Sequence, residues 1–134
     1  MVQGLSNVNN KENIHKYVTM IELTKTQKKV ARELIDLGLQ RECKSFTDKI
    51  TKFTNSAEWK TGDSHELYIK LYKKVTSFDE HIAKRYDGLT GSHYFMAVFG
   101  LFQDEVLTPE DIARFDMEVQ NELLGLKNIF DNDL

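Results

Sequence analysis

Apolar residues recur along this chain at helical spacing, with almost nothing to interrupt them. Leu39, Cys43, Phe46, Ile50 and Phe53 follow one another in steps of four and three. Leu71, Val75, Phe78 and Ile82 do the same, and so do Ile112, Phe115, Val119, Leu123, Leu126 and Phe130. Each series lines one face of an α-helix, and such a face is buried against another helix. The single proline, Pro109, stands at a helix start, where it breaks nothing. The pattern predicts an all-α fold: an antiparallel helical bundle of three long helices plus one short buried helix, with an extra N-terminal helix as an option.

The boundaries follow from caps and breakers. Residues 1–23 read as a polar N-terminal extension and residues 24–134 as the bundle. Within the extension, Ile14, Tyr17, Val18 and Ile21 fit a short amphipathic helix from about residue 11, capped by Asn9 or Asn10. The β-branched run over 16–23 fits a strand equally well. Met20 reads as a second possible start, which would make residues 1–19 an appendage. Thr24 or Thr26 caps the first long helix, expected to run to about Lys52 with Gly38 midway. Thr54 to Gly62 reads as a polar linker carrying Trp59. Asp63 and Glu66 have capping-box spacing and open a helix to about Tyr86. Gly88 and Gly91 end it, and Ser92 caps a short apolar helix from His93 to about Gln103. Thr108-Pro109-Glu110-Asp111 then opens the last helix, expected to continue to about Ile129.

Composition narrows the class. With 134 residues, 40% hydrophobic and 29% charged, the chain fits one globular domain with a core. One cysteine excludes an internal disulfide, and MVQGLSNVNNKEN lacks the pattern of a secretory signal, so a reducing cytoplasm is expected. The longest apolar run, Tyr94 to Phe102, is too short to cross a membrane. It is expected to be buried or to serve as a homo-oligomer interface. Charge is polarised: residues 1–86 hold 16 Lys/Arg and 11 Asp/Glu, a balance of +5, whereas residues 87–134 hold 2 and 10, a balance of −8.

Few residues invite chemistry. Cys43 lies on an apolar stripe, where a thiol is inert. Glu12 and His15 alone have the Glu-x-x-His spacing of a bundle metal site, and no second copy of that motif exists. Gly88 to His93 loosely resembles a phosphate cradle but lacks the lysine and spacing of one. No catalytic residue, metal ligand or cofactor is therefore expected. Lys25, Lys28, Lys29 and Arg32 are more informative, because they crowd a helix N-terminus, where the dipole disfavours cations. Trp59 either folds back to plug the end of the bundle or is offered to a partner as an anchor, and with the four basic residues it completes the candidate partner-binding set. The expected function is a non-catalytic protein-binding bundle: an adaptor, inhibitor or small subunit of a larger assembly. One alternative is a nucleic-acid-associated protein using its lysine faces. Another is a small-molecule-binding or enzymatic bundle with a pocket near Tyr94.

Overall fold

The computed structural model describes residues 21–132. Among them are six α-helices, one 3₁₀ turn and no strand, so the chain is all-α. The helices are α1 (Lys25–Thr54), α2 (Ala57–Thr61), α3 (Ser64–Tyr86), α4 (Tyr94–Gln103), α5 (Pro109–Ile112) and α6 (Met117–Asn132), with the 3₁₀ turn Gly91–His93 before α4. The helix or strand expected between residues 11 and 20 lies outside the described residues. The described chain divides into two compact units. One joins residues up to 35 with those from 89 onward, and the other is residues 36–88, so α1 contributes to both.

The first unit is built around α4. Phe95, Val98, Phe99, Leu101 and Phe102 are all buried, which accounts for half of its ten residues. An arc that wide requires neighbours on several sides. From α1 come Ala31 and Leu34, from α6 Val119, Leu123 and Leu126, and from the connecting segments Leu107, Ile112 and Phe115. Helices α4 and α6 run antiparallel, as the short connection between them predicts. Phe99 meets Phe130 with centroids 5.2 Å apart, and the Lys127 ammonium stands over the Phe102 ring. The side chains that would serve a homo-oligomer through Tyr94–Phe102 are thus largely covered by the chain itself, with Met96 left exposed.

Two boundaries of this unit differ from expectation. The last helix is not continuous from Pro109, because residues 113–116 interrupt it. Arg114 and Phe115 close short turns onto the carbonyls of Asp111 and Ile112, and Asp116 accepts from the Val119 N–H at 3.1 Å, capping a fresh helix. The break lets Phe115 and Val119 both reach the core. Ser92 is not the cap of the short apolar helix. Thr90 caps the 3₁₀ turn ahead of it, its N–H donating to His93 Nδ1 at 3.3 Å, and His93 holds the N-cap position of α4. Helix α4 closes in a Schellman motif, with Val106 N–H bonded to the Leu101 carbonyl at 2.9 Å and Glu105 N–H to that of Phe102 at 3.1 Å. Glu105 holds φ at 62°, a left-handed position where glycine is usual.

The second unit is a helical hairpin. Phe46 of α1 stacks on Phe78 of α3 at 4.1 Å, and the Lys74 ammonium stands 4.9 Å from the Phe53 ring centroid. Glu42 meets His81 beyond them, so the two helices run antiparallel. The stretch expected to be a linker contains α2, capped by Ser56, which accepts from the Trp59 N–H at 3.2 Å. Gly62 then turns the chain so tightly that a Cβ there would lie 2.7 Å from the Glu58 carbonyl oxygen. Asp63 caps α3 as its spacing predicts, accepting from the Glu66 N–H at 3.0 Å. The seam between α1 and α3 is thin. Leu39, Cys43, Phe46, Ile50 and Phe53 are all half-buried, and Val75, expected on the seam, is 45% exposed.

Candidate functional site

The basic cluster begins at the cap of α1. Thr24 N–H donates to Gln27 Oε1 at 2.7 Å, and Gln27 N–H donates to Thr24 Oγ1 at 3.1 Å, a reciprocal cap. Gln27 Nε2 continues to Asp116 Oδ2 at 2.7 Å. No acid stands in the first turn, and Lys25, Lys28, Lys29 and Arg32 follow on one face of the helix. Lys25, Lys29 and Arg32 are exposed. Lys28 is half-buried, its stem along the 3₁₀ turn, where a Cβ on Gly91 would meet Lys28 Cε and Nζ at 3.2 Å. None of the four has an ion-pair partner among the described residues. Of the nearby acids, Asp111 accepts from the Thr108 N–H, and Glu118 and Glu122 line a cleft beside the Thr24–Gln27 cap. Arg114 instead takes Glu33.

Trp59 is not part of that surface. Half-buried, it lies edge-on to Phe53 with centroids 5.3 Å apart and closes the turn of the hairpin. Cys43 is half-buried rather than in the core. Beside it the hairpin carries a polar cluster that sequence spacing did not reveal. Glu42, nearly buried, accepts from Tyr86 Oη, pairs with His81 Nε2 at 2.8 Å and lies 3.5 Å from Arg85 Nη1. Burial first, and the bond to Glu42 second, hold the Tyr86 phenol protonated far above its ordinary value. One carboxylate bonded to Tyr86 and His81, with the Arg85 guanidinium beside it, fastens the helix pair. Arg85 and Tyr86 lie four and five residues beyond His81 on α3, a signal hidden by their distance from Glu42 in sequence.

Among the clefts of the described surface are these two. The first, about 500 Å³, lies between the start of α1 and α6 and is lined by Ile21, Leu23, Gln27 and Val119 together with Glu22, Glu118 and Glu122. Glu122 Oε2 is buried there with no hydrogen-bond partner among the described residues. The second is an open groove of about 390 Å³ along α1, bounded by Arg41, Lys44, Asp48, Lys49 and Lys52. Neither includes Tyr94. Among the described residues no His, Cys, Asp and Glu side chains gather as a metal site, and no helix is long and apolar enough to cross a membrane.

The surface least explained by folding is the outer face of α3. Tyr68 and Tyr72 are each 60% exposed, with Ile69 and Val75 beside them. These are four of the eight large apolar side chains exposed among the described residues, gathered within about two turns of one helix. Sequence reading placed Val75 in the core and passed over the tyrosines. Their i, i+4 spacing, offset from the Leu71–Phe78 stripe, was the available signal.

No family model, curated protein or solved structure matches this chain.

Proposed function

We propose that this chain is a non-catalytic protein-binding helical protein, an adaptor, inhibitor or small subunit, whose docking element is the outer face of α3. The observation that supports it is the pair of tyrosines, each 60% exposed on a rigid helix with Ile69 and Val75 alongside. Solvated tyrosines contribute little to folding, whereas at an interface they supply large contact area at low entropic cost. The one described hydroxyl–imidazole contact, Thr90 Oγ1 to His93 Nδ1 at 2.9 Å, belongs to the cap of the 3₁₀ turn. The Glu42 cluster is consumed in holding the hairpin. The single half-buried Cys43 fits a reducing, cytoplasmic setting.

The test is the double variant Tyr68→Ser/Tyr72→Ser. It keeps the wild-type helical circular dichroism and loses the protein cross-linked to the wild type in the native cell. A variant that retains that partner removes the α3 face from the reading.

A second reading rests on the unpaired basic face of α1. Four cations without described acidic partners favour an anionic ligand, either an acidic protein segment or nucleic acid. Retention on DNA that falls steeply with salt, and disappears in Lys25→Glu/Lys28→Glu/Arg32→Glu, supports nucleic acid. Retention that ignores those changes excludes it.

A further inference from the structure

Resting on the reading that α3 is the docking element, we infer that its occupant is the same face of a second copy of this chain, packed antiparallel. His65, Ile69, Tyr72, Thr76, Asp79 and Ala83 follow in steps of four and three, the 3.5-residue spacing of a coiled-coil seam. This second seam lies on the side of α3 away from Leu67, Phe78 and Ile82, which face into the hairpin. One helix thus carries two seams, and the hairpin uses one.

Charge selects the partner. Lys73 and Glu80 stand one heptad apart on the same flank of the outer seam. When identical helices pack antiparallel, like flanks meet, so Lys73 of each copy lies opposite Glu80 of the other and the pair occurs twice. A parallel arrangement sets Lys73 against the apolar flank of Tyr68 and Val75 and makes no charge pair. The neighbouring lysines are already engaged within the hairpin: Lys70 holds Glu58 at 2.8 Å, and Lys74 covers Phe53. Neither Lys73 nor Glu80 has an ion-pair partner among the described residues. The same register sets Ile69 and Tyr72 around Ala83 of the second copy, where the small side chain leaves room for a ring. A seam that also contains Thr76 and Asp79 gives a reversible dimer rather than an obligate one.

Sedimentation equilibrium across a concentration series tests this on the full chain. The wild type is expected to pass from monomer to dimer, and Tyr72→Glu to remain monomeric with unchanged circular dichroism. Lys73→Glu and Glu80→Lys should each weaken the dimer about tenfold by setting like charges together, and the double variant Lys73→Glu/Glu80→Lys should restore it. A wild type that stays monomeric, a dimer indifferent to Tyr72→Glu, or a double variant weaker than both single ones overturns the inference. These failures are separable from failure of the broader reading. A monomeric wild type whose cross-linked partner is lost in Tyr72→Glu refutes self-pairing and keeps α3 as a docking face. If that partner also survives Tyr72→Glu, both readings fall.

Discussion

The two units are made from similar helices and hold together by different means. Fifteen apolar side chains are buried among the described residues, and all but Leu67 belong to the unit built on α4. Residues 36–88 instead rely on ring stacking, a cation over a ring and the carboxylate of Glu42. The difference is one of neighbours. A helix such as α4, apolar over a wide arc, is covered only when surrounded, whereas two paired helices share a single strip and leave the rest to solvent. Side chains beyond that strip are free to serve another purpose, which is why the exposed tyrosines occur in the hairpin.

Core truncations should divide sharply by unit. Phe115→Ala is expected to cost roughly 3–5 kcal/mol by urea unfolding, since the ring is 5% exposed and its removal leaves a cavity. Phe46→Ala and Phe78→Ala, which sequence alone places in the same class, should cost only about 1–2 kcal/mol, because half-buried rings lose less on truncation and water fills the gap. Equal losses in all three would mean that the seam is as well packed as the core, and the comparison would fail.

Hydrogen exchange sharpens the same contrast without mutation. Amides in the middle of α3 should exchange about 10–100 times faster than those in the middle of α4 and α6, because a thin seam opens at lower free energy than a closed core. Uniform protection would show the described chain opening as one cooperative body.

The caps give a smaller effect in the same direction. Thr108→Ala removes a hydroxyl that accepts from the Asp111 N–H at 3.2 Å beside buried Ile112, and should cost about 1 kcal/mol in thermal unfolding. Ser56→Ala frees the start of α2, a five-residue helix with no buried residue, and should cost about half as much.

What was legible in the sequence was local. Asp63 and Thr108 announced their helices because a cap acts on N–H groups two or three residues away. The breadth of α4 was legible in Phe95, Val98, Phe99, Leu101 and Phe102, since no one-sided helix reads that way. Two features escaped for the opposite reason. Periodicity carried the last helix across residues 113–116 because Ile112, Phe115 and Val119 keep helical spacing through the break, and the cap offered by Asp116 was weaker than that pattern. Periodicity also treated the Leu71–Ile82 stripe as core. How deeply a stripe is buried depends on how many helices surround it, and no single segment encodes that number. The docking residues followed suit: the basic cluster was visible as a run, and the tyrosine face emerged only from the exposure of Tyr68 and Tyr72 on α3.

The finest distinction concerns how the hairpin is fastened, and it turns on pH. Tyr86 donates to Glu42 and stays protonated far above the ordinary tyrosine value of 10.0, through burial first and that hydrogen bond second. The unfolded chain ionises at the ordinary value, so above it the folded state binds the extra proton and stability falls as pH rises. The contribution is complete below pH 10.0 and drains away as the pH climbs from there toward the folded-state value. Tyr86→Phe removes the hydroxyl and keeps the ring, and should lower stability near neutral pH by about 0.5–1 kcal/mol. Above pH 10.0 the gap between variant and wild type should close, because only the wild type still loses this contribution. A gap that stays constant to high pH would assign the hairpin's fastening to ring packing rather than to Glu42, and the two units would then differ in the extent of their packing and not in its kind.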